Sequence, residues 1–318
     1  MSNFNVPKDK KFTFHNIPFA NILNNLVYEE KKKILILGKN SYIGEALKRY
    51  LEKFNNYYIE IRSLHGNDWL ESSFEEFDIV FFLVGIAHRV ENRENKELYY
   101  EVNTKLAINV AEKAKRENVG LFVYVSSMSV YGLVTGHIGK DTKINPRTHY
   151  GISKALAEQE LWKMHDNNVC VSIVRPPMVF GYNCTGNYQR LRKYGLKFRI
   201  FPKIYNSRSM IYIDNLCSSL RAIMHNKQSG VYCPQNYSYF STVDMVRDIL
   251  VANGKKLYTF PVIDSIIHSI VAKSRLLKKV FGTLVYDKGI NVPKEWLINL
   301  DNADCVYQGE NNGKWNKI

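Results

Sequence analysis

The chain has 318 residues, 45% of them hydrophobic, 23% charged and 13% aromatic, which is enough apolar mass for a full core and too aromatic for a disordered chain. Its formal net charge of +14 suits nucleic acid, an anionic membrane or an anionic small substrate; the basic residues are scattered (Lys31–Lys33, Lys113–Arg116, Arg190–Lys193, Lys278–Lys279) without a zinc-finger or RNA-binding signature, so nucleic acid is set aside. Five cysteines without a CxxC pair, an N-terminus (MSNFNVPKDKKFTF) lacking a signal-peptide core, and no apolar run near the roughly 18 residues of a span give a reduced, cytoplasmic protein with no metal site as the expectation.

Residues 1–32 read as an N-terminal extension, with Asn21–Glu30 a short helix at most. "KKKILILG" (31–38) is a strand ending in glycine, and "SYIGEALKRYLEKF" (41–54) has helical spacing through Ile43, Leu47 and Leu51. "YYIEIR" (57–62) and "DIVFFLVG" (78–85) are strands. "NTKLAINVAEKAKREN" (103–118) is a helix and "GLFVYVSS" (120–127) a strand. "YGISKALAEQELWKMH" (150–165) is a helix and "VCVSIVRPP" (169–177) a strand. Strands apolar on both faces, alternating with helices, predict an α/β fold: a Rossmann-type doubly wound parallel sheet. After Gly181 the pattern loosens. A strand and helix follow over 207–225, and a capped helix over 241–254. The expected division is a dinucleotide-binding domain over 33–180, with 207–235 returning to it, and a smaller mixed α/β substrate-binding region over 181–318. The apolar, basic segment 262–282 admits weak peripheral membrane association; packing on its own domain is preferred.

The turn after the first strand reads Gly38-x-x-Ser41-x-x-Gly44. Glycine permits the sharp bend, a small middle residue permits close approach of a pyrophosphate, and the helix N-terminus offers free N–H groups. Ser41 replaces the usual middle glycine, so the spacing alone is equally a chance pair of glycines. The second strand ends in Arg62 rather than an acid, and Lys39 sits in the loop; the alternative is a merely solvated Arg62, with Glu60 two residues away on the same face. Positive charge there suits the extra phosphate of NADP, with NAD as the alternative. Ser126 and Ser127 close the fourth strand, at the sheet end where ligands bind. Tyr150 and Lys154 follow at i, i+4 spacing on one helix face. A lysine beside a phenol favours phenolate, and a serine hydroxyl can hold the reacting oxygen while tyrosine moves the proton. Each residue also has a plain structural alternative, as strand end, helix start or surface lysine.

The ordered set Gly38–Gly44, Asn103, "VSSMSVYG", "YGISK", "VRPPMVFG" and "RSMIYIDNL" resembles the extended short-chain dehydrogenase/reductases, in their nucleotide-sugar epimerase/dehydratase group, over about residues 33–290. The resemblance implies a catalytic triad of Ser127, Tyr150 and Lys154. It implies cofactor contacts from Gly38, Lys39, Ser41, Tyr42, Ile43, Gly44, Arg62, Asp68, Val84, Gly85, Asn103 and Pro177, shared with Tyr150 and Lys154. "RPPMVFGYNCTGNYQRL" and "FGTLVYD" are similar to a subgroup acting on UDP-N-acetylhexosamines in capsule and O-antigen synthesis, which holds 4-epimerases and 4-keto reductases. That likeness implies that Arg208 and Asn187 hold a substrate diphosphate and that Phe201 faces uracil, with core packing the preferred alternative for Phe201. Met128-Ser129 stand where the group's dehydratases carry Asp-Glu, so dehydration is discounted. The short link between Arg62 and Asp68 is similar to that of the keto reductases. The implied function is hydride transfer at C4 of a UDP-sugar; a non-catalytic NADP-binding regulator on the same fold is the alternative. A homodimer is expected through the helices 103–118 and 150–165, with Ala107, Val110 and Ala111 as its small apolar face.

Overall fold

A computed structural model describes residues 31–87, 95–166, 169–227, 229–261 and 274–311. The expected helix over Asn21–Glu30 and most of the basic segment 262–282 lie outside them.

Strand β1 (Lys32–Leu37) ends at Gly38 and leads into α1 (Tyr42–Leu51); β2 (Tyr57–Arg62), the short α2 (Asp68–Glu71) and β3 (Ile79–Phe82) follow. Next come α3 (Lys96–Tyr100), a π-helical turn (Glu101–Lys105), α4 (Leu106–Arg116), β4 (Leu121–Val125), β5 (Gly136–Ile138) and α5 (His149–Met164). The remainder runs β6 (Cys170–Val174), β7 (Met178–Phe180), α6 (Asn187–Phe198), β8 (Ile200–Pro202), β9 (Met210–Tyr212), α7 (Ile213–Asn226), β10 (Gly230–Tyr232) and α8 (Thr242–Ala252). The main sheet has the order β10-β6-β4-β3-β1-β2 and all its pairs are parallel. The alternation inside β1 explains the layering. Ile34 and Ile36 pack with Leu47, Leu216 and Leu220 of α1 and α7, while Leu35 and Leu37 pack with Val110, Ala157 and Leu161 of α4 and α5. Each of these fully buried Ile, Leu and Val side chains contributes about 1.5–3 kcal/mol.

Strand order reverses beside β1: β2 lies on one flank, and β3 on the other. A crevice therefore opens outside the carboxyl ends of β1 and β3, the place where open α/β sheets bind ligands. Gly38 and Leu83 face each other across it, for a side chain at Gly38 would come within 3.2 Å of Leu83.

Three-residue strands account for what periodicity did not reveal. β5 pairs with Leu284–Tyr286, β7 with β9, and β8 with Tyr258–Phe260, each in a two-stranded sheet. The described end of the basic segment is a helix, Arg275–Phe281, that packs on its own domain: Thr242 Oγ1 donates to Val280 O, and the Phe281 ring lies 5.5 Å from that of Phe201. Ala107, Val110 and Ala111 do not form an outer face. All three are buried against the sheet and α5, so they are removed from any dimer interface.

Candidate active site

The glycine turn is built as its spacing requires. Gly38 adopts φ 142°, a region costly for other residues, and a Cβ at Gly44 would sit 2.7 Å from Gly38 O. Ser41 caps α1 by accepting from Gly44 N at 3.1 Å. Its hydroxyl thus does structural work that a middle glycine leaves undone. The N–H groups of Tyr42 and Ile43 open the helix with no acceptor among the described residues. This cradle of glycine and free N–H groups fits a dinucleotide pyrophosphate.

Asn103 lies in the π-helical turn, fully buried. Its Oδ1 accepts from Ile86 N at 2.8 Å, and its Nδ2 reaches Ile86 O and Ser153 Oγ, each at 3.1 Å. The extra residue of the turn aims this carboxamide at the loop after β3, as π-turns often do at functional sites. A Cβ at Gly85 would come within 3.2 Å of both Asn103 Oδ1 and Lys154 Nζ. Glycine at 85 therefore lets the loop after β3 approach α5. Val84 is half-buried beside it, Pro177 is buried after β6, and Lys39 and Asp68 are exposed.

Ser127, the cap of the turn after β4, hydrogen-bonds the Tyr150 phenol, and its Oγ accepts from Ser129 N at 3.1 Å. Tyr150 is in the first turn of α5, which Thr148 caps. Burial pushes the phenol above its ordinary value, and the bond from Ser127 offsets this only in part. Lys154 is buried; its Nζ donates to Val125 O at 2.8 Å and lies 4.7 Å from the centre of the Tyr124 ring. Burial lowers the ammonium to about 7, against a partial lift from Glu158. The expected depression of the tyrosine by the lysine is not present in this arrangement: burial raises the phenol, and the group that lowers it is Ser127, not Lys154.

A buried lysine of this kind destabilises the fold. Its penalty is full below the folded value near 7, shrinks as pH rises above that, and vanishes above the unfolded value near 10.5. Lys154→Met should raise stability at pH 7 by on the order of 1–3 kcal/mol, and most at low pH, while abolishing turnover. Urea melts at pH 6 and 10 check this; a variant less stable than wild type at pH 6 would contradict it.

Two residues behind the site escaped the sequence reading. Glu158, one turn past Lys154, takes Arg175 Nε on both carboxylate oxygens at 3.1 Å and the Ser126 hydroxyl on Oε1, and Arg175 Nη1 reaches Tyr131 OH at 2.9 Å. The i, i+4 spacing from Lys154 and the arginine of "VRPP" were the available signals. No acidic side chain follows Ser127: Met128 is half-buried, and Ser129 Oγ is buried with no partner among the described residues.

Arg62 does not reach into the crevice. Its Nε binds Glu60 Oε1 at 2.5 Å, its Nη1 donates to Ser73 O at 2.9 Å, and its guanidinium lies 5.0 Å from the Phe77 ring centre. Arg208, just before β9, is held by antiparallel pairing with Phe240 and by Nη1 donating to Gly282 O at 2.8 Å. Among the described residues no carboxylate pairs with it, and burial lowers its guanidinium from the ordinary value. Asn187 is exposed at the start of α6. Phe201 is 3% exposed, packed among Val243, Val246 and Leu250, so it presents no face to a uracil ring. Among the described residues no group of three His, Cys, Asp or Glu could hold a metal ion.

A family model described as the NAD dependent epimerase/dehydratase family matches residues 34–233. The chain is 27% identical over 269 residues to a UDP-glucose 4-epimerase of Vibrio cholerae, covering 80% of this chain and 82% of that protein. It is 27% identical over 237 residues to an N-acetyl-alpha-D-glucosaminyl-diphospho-ditrans,octacis-undecaprenol 4-epimerase of Escherichia coli O157:H7, covering 69% and 70% of the two chains. The structure of UDP-glucuronic acid 4-epimerase from Bacillus cereus in complex with NAD superposes with TM-score 0.69 at 18% identity, covering 88% of this chain and 96% of that one, a likeness of fold.

Proposed function

The chain belongs to the NAD dependent epimerase/dehydratase family, and from that premise we propose that it is a nucleotide-sugar 4-epimerase acting on a UDP-sugar. The observation that carries this reading is the Ser127–Tyr150 pair at the carboxyl end of β4, with Lys154 beside it and no acid at Met128-Ser129. A bound nicotinamide cofactor would supply reversible hydride transfer at C4. Tyr150 takes the proton of the 4-hydroxyl and gives it back once the sugar has turned its other face, while Ser127 holds the oxygen. Gly38, Ser41, Tyr42, Ile43 and Gly44 would hold the pyrophosphate; Val84, Gly85, Asn103 and Pro177 would wall the nicotinamide side, with Lys39 and Asp68 at the rim. Arg208 and Asn187 would hold the substrate diphosphate. Phe201 has no part in it.

A 4-keto reductase is the second reading, favoured by the short link from Arg62 to Asp68. Incubating the protein with UDP-GlcNAc, UDP-GalNAc and a UDP-4-keto-6-deoxy-HexNAc, with and without NADPH, separates the two. An epimerase interconverts the first pair without added NADPH. Absence of any product in all arms would favour a non-catalytic regulator.

We take NAD as the cofactor. The NADP expectation rested on Arg62 and Lys39; the Arg62 guanidinium is engaged with Glu60 and Ser73, which leaves exposed Lys39 as the cation of the two for a 2′-phosphate. Arg62→Ala should change the ratio of NADH to NADPH affinity by less than about threefold, as for a group making no phosphate contact. A tenfold loss confined to NADPH would restore the NADP reading.

The remaining parts follow from the same reading. The cofactor half spans 33–180 with 207–235, supported by β10 pairing beside β6, and 181–318 is mainly substrate-binding. The location is the cytoplasm, and the role is cell-surface polysaccharide synthesis. A homodimer would use the outer side of α5, where Ile152 and Leu156 are half-buried, and Leu98, 36% exposed. Light scattering at micromolar concentration should give twice the chain mass; a monomer refutes the pairing.

A further inference from the structure

The surface around β8 is apolar and basic at once. Residues 187–209, covering α6, β8 and the link to Arg208, hold seven Arg or Lys and no Asp or Glu. Within this span Phe201 turns inward, so Ile200 and Pro202 turn outward, and parallel pairing sets Tyr258 beside Ile200 and Phe260 beside Pro202 on that outer side. Tyr194 and Phe198, their rings 4.8 Å apart, extend the patch along the last turn of α6. These five large side chains (Tyr194, Phe198, Ile200, Tyr258 and Phe260) are each 47–58% exposed. A cluster of this kind is unusual on a monomer surface, whereas single exposed apolar residues are not.

The charges around it are free. Among the described residues no carboxylate pairs with Lys193, Lys197, Arg199 or Lys203, and all four are exposed. Lys197 Nζ lies 5.1 Å from the Phe198 ring centre, so the ammonium sits at the rim of the aromatic patch. On the neighbouring elements Glu310 takes Arg192 and Tyr188 and Asp244 takes Arg247, while Asp248 and Asp304 make no ion pair with these four cations among the described residues. Aromatic and branched side chains ringed by unpaired lysines match the boundary of an anionic bilayer, where rings enter the headgroup layer and ammonium groups stay with lipid phosphates. A protein partner would need an acidic rim around an apolar centre; a nucleic acid would use the charges and tyrosines but leave Ile200 and Phe260 in water.

We propose that this face docks the protein on an anionic lipid surface. Among the described residues no helix is long and apolar enough to cross a membrane, so the contact is peripheral and salt-sensitive. It does not depend on the catalytic reading, since Asn187 and Arg208, near the two ends of the 187–209 span, lie outside the patch of Lys193, Tyr194, Lys197, Phe198, Ile200, Lys203, Tyr258 and Phe260.

The test is co-sedimentation of the full chain with vesicles of phosphatidylcholine alone and of phosphatidylcholine with 30% phosphatidylglycerol (roughly the anionic fraction that gives a strong surface potential). The expected result is sedimentation with the anionic vesicles only, weakened by salt. Two variants follow: Phe198→Ser with Ile200→Ser and Phe260→Ser, and Lys193→Glu with Lys197→Glu and Lys203→Glu. Each basic residue near such a surface is worth on the order of fivefold in partitioning, so both variants should lose at least about tenfold. Their melting temperature and epimerase turnover should match wild type. No sedimentation of wild type overturns the proposal, as does equal sedimentation of both variants. A variant that turns a dimer into a monomer without changing lipid binding makes the face a subunit contact instead. Binding of a single-stranded oligonucleotide with no lipid binding makes it a nucleic-acid surface, and likewise overturns the proposal.

Discussion

Tyr150→Phe lowers kcat by roughly 10²–10⁴-fold, the ordinary contribution of a positioned proton donor, and leaves fold and cofactor affinity unchanged. The substitution removes one hydroxyl and keeps the ring. The edge contact with Tyr99, at 6.4 Å between ring centres, is retained. The hydroxyl's structural duty is its bond with Ser127, and Ser127 Oγ still accepts from Ser129 N. Little stability is therefore at stake, and the loss is confined to proton movement. Because burial raises the phenol and also holds Lys154 near 7, the site as built favours a neutral tyrosine. Turnover of wild type should rise with pH as the phenol gives up its proton, and the variant should lose that rise. Activity within about threefold of wild type, too little for a lost acid–base group, would remove Tyr150 from the chemistry.

Arg208→Ala raises KM for a UDP-sugar by roughly 10- to 150-fold, the equivalent of about 1.5–3 kcal/mol for a charge-assisted contact. The guanidinium is half-buried and desolvated, and among the described residues it has no acidic partner. A cation left in that state is uncompensated until an anion arrives, which is the condition under which its bond to a diphosphate is strongest. The substrates named for both curated relatives contain a diphosphate, so this contact does not by itself distinguish a soluble from a lipid-linked sugar. Removing the side chain also deletes its bond to Gly282 O, at a cost of about 1 kcal/mol in stability. Cofactor affinity should not move, because the partners of Arg208 are Gly282, Phe240 and Leu284 and not the glycine turn. Calorimetry of UDP binding decides: an affinity equal to wild type would take Arg208 out of the site.

The parts of the fold legible in the sequence are those with long periodic runs. Continuous apolar stretches such as "ILIL" and "IVFF" are buried on both faces, and they marked the parallel sheet. The small sheets were invisible because three residues carry no period. The π-helical turn was read as the start of one helix, since its extra residue leaves apolar spacing almost intact, yet it is what orients Asn103. Residue identity alone did not decide where a side chain had a nearer partner. Arg62 ends its strand as an NADP arginine would, but Glu60, two residues back, and Ser73 O take its donors. The small face Ala107, Val110 and Ala111 suited a dimer seam; the monomer uses it against α5 and the sheet. By contrast, Ser127 and Tyr150 meet as their motif order implied, because both are fixed by caps of regular elements.

The central claim is that one proton carrier and one hydride site act reversibly on the same sugar carbon. It is tested most directly with a UDP-sugar deuterated at C4, followed by NMR in the absence and presence of excess unlabelled NADH. The account predicts a mixture of the two C4 epimers, each still carrying deuterium at C4, with no label appearing in the free cofactor. Loss of deuterium to the cofactor pool, or product formed only when reduced cofactor is added, would contradict it and make the protein a reductase.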